Sequence, residues 1–443
     1  MSDSSAANPQ HSPVRFIERR RNPAPRMNDR VAFVSIMLTT IMLAYGGLIG
    51  PASILVFYAL WLSRFKYRQI YTVRMTRDVL ILLPFPLMAI VSSLWSRYPT
   101  TTLYTSLEYA SSVVCAIIMA RLVRTTPLVR GVVAGTVVVL AASLINGRYG
   151  VDAFSGNYSL VGLFGSKNMV GLFAEIGIIF SLFATLLPGQ RLISRLAFGI
   201  APMLMCMVTL ELSKSASSLL SLLIVLGLLL TVYIITRLPR IYRKFSFIII
   251  AIWFLVITVT GATLGWQETV LQSFGKTSTL TGRTTLWEKG MEIGWSSPAI
   301  GIGYAAFWVQ GNLEAERLWY KFGIKSRNGF HFHNTFVEAF AELGMIGVLL
   351  VGILFLSVTL PSLWLLLEHG MVMEYCVSLA LGVMFLVRSF VELDILGTFS
   401  IGPFLLYAIP PRLATLRLEQ QAAQPPAEGL LHKNKAQHAN NQR

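Results

Sequence analysis

The stretch Ala216-Ser-Ser-Leu-Leu-Ser-Leu-Leu-Ile-Val-Leu-Gly-Leu-Leu-Leu-Thr-Val-Tyr-Ile-Ile-Thr236 carries no charged side chain and ends against Arg237, Arg240, Arg243 and Lys244. A helix of about 20 apolar residues crosses the roughly 30 Å of bilayer hydrocarbon. In lipid the backbone finds no water to bond, so a spanning segment of this kind has to be helical. A basic cluster at one end of such a run marks the cytoplasmic side.

Similar runs recur at 31–47, 48–62, 78–95, 107–122, 131–146, 169–187, 196–211, 245–264, 334–360, 371–390 and 396–411, making twelve with the first. The first two are divided only by Gly46-Gly47 and Pro51. Composition agrees: of 443 residues 54% are hydrophobic and 13% charged, with mean hydropathy +0.62. Soluble domains carry about 25% charged residues. The sequence therefore predicts an all-α polytopic membrane protein of about 12 transmembrane helices. Its polar, Arg-rich start, without a cleavable signal, would leave the first span as an anchor.

Lys and Arg outnumber Asp and Glu 37 to 21, for a net charge of +16. A nucleic-acid partner would need a soluble basic face, whereas these cations fall in short clusters between apolar runs. With the N-terminus inside, the inner segments hold 25 basic residues and the short outer loops 5, namely Arg97, Arg148, Lys167, Lys214 and Arg388. The other 7 lie in one long outer loop. Both termini are thus expected in the cytoplasm, with tails at 1–30 and 412–443, spans one to nine over 31–264, the periplasmic loop over 265–333 and the last three spans over 334–411. Cys115, Cys206 and Cys376 lie inside apolar runs and read as small buried hydrophobes.

The long loop has a pattern of its own. Thr285-x-x-Glu288 reads as a capping box for a short helix ended by Gly294, and Gly301-Ile-Gly303 as a turn. Trp287, Trp295, Trp308 and Trp319 suit a loop resting on the membrane interface. His331-Phe-His333-Asn334 closes the loop, and Thr335-x-x-Glu338 places a helix start near Asn334 or Thr335. Free N–H groups there suit a phosphate oxygen, and a histidine beside them can act as a base; Asn334 serving only as a cap is the simpler alternative. Arg283, after Thr281-Gly282, can grip a diphosphate or stand as an ordinary surface arginine. Lys167-Asn168 opens the sixth span. Lys214 stands in a short outer turn, where it could equally pair with Glu211. Arg388 and Glu392, a turn apart, invite an ion pair. Glu175, Glu338, Glu342 and Glu374 fall in or near spans, where a carboxylate is costly and often functional; Glu338 and Glu342 could instead partner nearby basic groups. No Asp-rich or His-x-x-x-His metal pattern accompanies them. Four cations and a histidine at outer helix ends suit an anionic headgroup approached from the lipid.

Leu280-Thr-Gly-Arg283-Thr-Thr-Leu-Trp287, Gly301-Ile-Gly-Tyr304, His333-Asn334-Thr-Phe-Val-Glu-Ala-Phe-Ala-Glu-Leu-Gly344-Met-Ile-Gly347 and Gly165-Ser-Lys167-Asn168-Met-Val-Gly171 together resemble the bacterial O-antigen ligase and polysaccharide polymerase superfamily, the last motif in its exopolysaccharide polymerase form. The resemblance implies a GT-C type glycosyltransferase of the inner membrane using undecaprenyl-diphosphate-linked sugars without a metal ion or cofactor. It implies a chain-length regulator and export machinery as partners. Arg283 matches the loop arginine expected to hold the diphosphate, and His333 the histidine expected to activate the acceptor hydroxyl. Lys214 stands where the family often has arginine. Lys167, Asn168, Asn334, Arg388 and Glu392 are expected to bind diphosphate or acceptor. Ligases pass the glycan to lipid A core, whereas polymerases pass a growing chain to the next lipid-linked repeat, and the Lys167-Asn168 motif favours the polymerase. A twelve-span carrier is the rival from another class, but midplane charges or broken helices, the mark of carrier sites, are not what these cations form. A non-catalytic scaffold would tolerate substitution of the same residues.

Overall fold

The computed structural model describes residues 26–66, 77–151, 158–264, 282–327 and 329–423. The helices are α1 (Asp29–Ile49), α2 (Pro51–Leu62), α3 (Arg77–Leu80), α4 (Pro84–Val91), α5 (Pro99–Leu122), α6 (Thr125–Asn146), α7 (Lys167–Leu186), α8 (Leu192–Ser213), α9 (Ala216–Ile235), α10 (Arg240–Thr263), α11 (Arg283–Ser296), α12 (Leu313–Lys321), α13 (Thr335–His369), α14 (Met373–Arg388) and α15 (Ile401–Ala423). A two-stranded antiparallel hairpin, β1 (Tyr149–Val151) and β2 (Tyr158–Leu160), pairs Tyr149 with Leu160. The protein is a polytopic helical membrane protein.

Among the described residues eight helices, α1, α5, α6, α7, α8, α9, α10 and α13, are long and apolar enough to cross a membrane. Of the other four expected spans, α2 and α14 are shorter, the run at 78–95 is broken, and α15, 23 residues long with Pro410, Pro411 and Arg412 inside it, is not among the eight, so the count of twelve is not reached on length and composition. The run at 78–95 splits into α3 and α4 before Pro84, where the ring removes a backbone donor and crowds the preceding turn. The first two runs part at Gly50, whose φ of 71° is left-handed, with the second helix starting at Pro51 as expected; Gly46-Gly47 lie inside α1, just past a kink at Tyr45. At the far end α15 continues to Ala423, past the expected boundary at 411, and most of its described side chains to Leu416 are buried. The tails at 1–25 and 424–443 lie outside the described residues.

The body is built by α6 packing between α1 and α7, α7 against α8, α5 against α15, and α14 against α9 and α13. Its core holds Phe173, Phe180, Tyr109, Tyr375, Phe385 and Tyr407. By contrast α10 is barely covered, with 6% of its apolar window buried. Cys115, Cys206 and Cys376 are buried and free.

The described part of the long loop folds into a lobe with its own core of Leu286, Ile293, Phe307, Leu318, Trp319, Phe332 and Val337. Burial of these aromatics overturns the expectation that the loop's tryptophans rest on the membrane interface: Trp319 is 2% exposed, and Trp287 and Trp308 pack against the lobe. Trp295 alone of the four is largely open. Within the lobe, α11 begins at Arg283 behind Gly282, whose φ is 80°, two residues before the expected capping box, and runs on to Ser296 past Gly294.

Two glycines clamp the lobe to α13. At Gly344 the helix breaks with φ 64°, freeing backbone groups. The chain at 297–303 fills the break: Met345 N–H donates to Pro298 O at 2.8 Å, Gly303 N–H to Glu342 O at 2.8 Å and Ile302 N–H to Ala341 O at 3.2 Å. A Cβ on Gly344 would lie 2.4 Å from the Ala299 carbonyl carbon, and one on Gly301 2.2 Å from that of Glu342. Two backbones therefore cross where neither tolerates a side chain.

Candidate functional site

The clamp brings the start of α11 and the start of α13 to the end of α14. Asn334 caps α13 as expected, its Oδ1 accepting from Phe336 and Val337 N–H at 2.9 and 3.1 Å, while its Nδ2 donates to Phe390 O at 3.0 Å. Thr335 N–H donates to Ser389 O, and the Thr335 hydroxyl donates to Glu392 O at 2.9 Å. Both contacts fix the segment after α14 against α13, so Glu392 projects toward the lobe.

Its carboxylate joins the loop residues. One oxygen accepts from Arg283 Nη2 at 2.6 Å, and the other lies 3.3 Å from His333 Nδ1. Ser217 donates to the same carboxylate at 3.4 Å. The two ion-paired side chains are 11% and 5% exposed. Burial alone would raise the Glu392 pKa, but Arg283 first and then His333 outweigh it and hold the group well below the usual carboxylate range. Glu392 is therefore an anion, and an imidazole with Nδ1 toward it keeps Nε2 free to take a proton.

His333 itself has φ 53°, left-handed for a residue that carries a Cβ. Its N–H donates to His331 Nδ1 at 3.0 Å, and the two ring centroids are 4.2 Å apart. Burial, then the neighbouring His333, pushes the His331 pKa well below 6.5. His331 is thus a neutral ring that accepts from the backbone holding His333. His331, His333 and Glu392 also offer ligand atoms within 4.8 Å of one another. Such a set could hold a zinc-like ion, which would compete with Arg283 for the carboxylate. No metal pattern shows in the sequence because Glu392 lies 59 residues beyond His333.

His331, His333 and Glu392 line a cavity of about 650 Å³, together with Asp394, Lys167, Asn168, Ser166, Phe330, Tyr149 and Arg148; Arg283, expected to grip a diphosphate, is held by Glu392 and is not on this wall. Lys167 and Asn168 come from the first turn of α7, as expected, and Asn168 Oδ1 lies 3.5 Å from the Ser215 hydroxyl. Arg148, counted in the sequence only as an outer-loop cation, reaches the same wall because the β-hairpin folds over α7. Nothing in its local sequence distinguished it.

Three expectations change. Arg388 does not pair directly with Glu392 and does not reach the cavity wall. It is fully buried, donating to Asp394 at 2.5 Å and to the Ser218 hydroxyl at 2.5 Å, with Glu175 at 3.5 Å. A guanidinium 0% exposed between two carboxylates has its charge already answered, so it braces the segment carrying Glu392 and Asp394. Lys214 follows the simpler of its two readings: its ammonium pairs with Glu211, both side chains are well exposed, and it is not on the cavity wall. Glu338 and Glu342 partner backbone groups and not cations: Glu338 accepts from Phe332 N–H at 2.8 Å, and Glu342 from the N–H groups of Ala305 and Phe307. They staple the lobe to α13.

A carboxylate–histidine pair on the wall of a cavity that also carries Arg148, Lys167 and Asp394, within a bundle of membrane helices, is an arrangement able to move a proton beside a charged substrate. The family model described as O-antigen ligase matches residues 201–352, a stretch containing α11, α12, both clamp glycines, Arg283 and His333. The chain is 39% identical over 402 residues, 90% of its length and 91% of the relative's, to the exopolysaccharide production protein ExoQ of Rhizobium meliloti (strain 1021). The chain belongs to this family of membrane polymerases and ligases of exopolysaccharide and O-antigen.

Proposed function

We propose that the protein is an inner-membrane polysaccharide polymerase that moves a growing glycan from undecaprenyl diphosphate onto a lipid-linked repeat unit. The observation that carries this reading is the His333–Glu392 pair on the cavity wall, with Arg283 bound to the same carboxylate but not itself on the wall. Glu392 orients His333 through Nδ1. His333 Nε2 takes the proton of the acceptor hydroxyl as that oxygen attacks the anomeric carbon. The carbon–oxygen bond to the diphosphate breaks with inversion, and its electron pair leaves on the diphosphate. That leaving group is already good, so alignment and charge neutralisation are what the protein must supply. Lys167, Asn168 and Arg148 face the cavity and suit the departing diphosphate, and Arg283 holds the Glu392 carboxylate that orients His333. No step requires a metal ion. Both termini lie in the cytoplasm and the cavity faces the periplasm, in accord with the distribution of basic residues. A chain-length regulator and export machinery are the partners such an enzyme needs.

Transfer to lipid A core is the second reading, favoured by the description of the matching family model. The two are separated by glycan analysis of a deletion strain carrying the wild-type or Arg283→Ala gene. A polymerase loses high-molecular-weight polysaccharide, accumulates single lipid-linked repeats and is not restored by Arg283→Ala. A ligase leaves long chains on undecaprenyl diphosphate. Unchanged glycan in both would sink the enzyme reading.

A further inference from the structure

At the end of α13 away from the cavity lies a second concavity of about 470 Å³, between the start of α10, the last turns of α13 and α15. Its walls are apolar, with Phe247, Ile248, Leu360, Leu363, Trp364 and Leu367. Its mouth is basic. Lys244 sets its ammonium 3.5 Å from the centroid of the Trp364 ring and 2.8 Å from Glu368. Arg240 pairs with the same carboxylate, and Arg243 donates to the Leu367 carbonyl at 3.4 Å. Arg417 enters from α15 and takes no hydrogen-bond or ion-pair partner among the described residues. Four cations thus gather about one carboxylate, and among the described residues the positive charge they leave over has no further acidic partner.

The trough runs along α10, the least covered of the eight membrane-length helices among the described residues. A Trp and long basic side chains at a helix end mark the headgroup level of a membrane. We infer that this groove holds an anionic phospholipid, with an acyl chain against Phe247, Leu360 and Trp364 and the phosphate between Lys244 and Arg417. Charge complementarity selects the headgroup: a zwitterionic lipid would bring its own cation to a mouth already in positive excess. A second copy of the chain docked through α10 would need the apolar trough but not its basic rim.

The test is native mass spectrometry of the full-length protein in neutral detergent, with phosphatidylglycerol or phosphatidylcholine of the same acyl chains. Phosphatidylglycerol adducts should bind more tightly. Arg417→Gln and Lys244→Gln should each weaken them about five-fold, as expected for one cation near an anionic surface, whereas Lys325→Gln in the lobe should not. Equal binding of the two lipids, equal loss in Lys325→Gln, or a dimer without lipid adducts overturns the inference. A second measurement keeps the charges intact. Brominated phosphatidylglycerol should quench a share of tryptophan fluorescence that disappears in Trp364→Phe, and brominated phosphatidylcholine should not. The same quenching in both proteins also overturns it.

Discussion

Replacing Glu392 by Gln tests the proposed chemistry most directly, because it keeps the shape and removes the charge. At 2.6 Å from Arg283, the gross attraction is roughly 6 kcal/mol at an effective dielectric of 20, and desolvation of both groups takes back a large part. Breaking a buried pair costs about 3–5 kcal/mol; a Gln oxygen still accepts from the guanidinium, so a loss of about 2–3 kcal/mol in stability is expected. Activity should fall further. An amide no longer stabilises the imidazolium that forms at His333 and can hold the ring in the wrong tautomer, which for an oriented histidine costs on the order of 10²–10⁴ in rate. The assay is polymer formation from purified lipid-linked repeats by wild type, Glu392→Gln, His333→Ala and the double variant, with each protein's unfolding transition measured beside it. Groups acting as one unit are not additive, so the double variant should be little slower than either single one. Glu392→Gln retaining activity within about three-fold while His333→Ala is inactive would refute the proposed dyad, and so would losses that multiply.

Arg148→Ala should raise the KM for the lipid-linked donor at least about ten-fold with a smaller change in kcat, since it removes a charge facing the cavity; an unchanged KM would remove Arg148 from the site. Lys214→Ala should change stability by less than about 1 kcal/mol and leave polymer length near wild type, as expected when an exposed ion pair is lost. Gly344→Ala should cost more than about 3 kcal/mol, from its left-handed φ and a Cβ overlapping the Ala299 carbonyl; limited proteolysis releasing the lobe would report it. His331, whose folded pKa lies below its ordinary 6.5, resists a proton that the unfolded chain takes up. Its contribution to stability is therefore present above pH 6.5 and declines as pH falls below that value. The melting temperature of His331→Asn should drop less than that of wild type between pH 7 and pH 5.5, and equal slopes would show that His331 is not the group responsible.

The membrane fold was legible in the sequence because lipid imposes one rule on every spanning segment: apolar length with internally bonded backbone. The runs at 169–187 and 216–236 correspond to α7 and α9 for that reason. The cap at Asn334 was equally local, since a side chain bonding the next two or three N–H groups needs only its neighbours. The same holds for Gly301 and Gly344, which mark a special backbone without saying that they mark the same crossing. What only tertiary structure decided was partnership. Glu392 sits one turn from Arg388 in sequence, yet its carboxylate goes to Arg283 and His333, because α14 ends there and the chain turns toward the lobe. Arg388 instead points into the body, where Asp394 and Glu175 answer its charge. Arg148 reaches the cavity through a hairpin, and Trp319 enters a core that no periodicity announced. Sequence records which groups a segment must bury or cap; which charge meets which is fixed by the distances that open when separate helices pack.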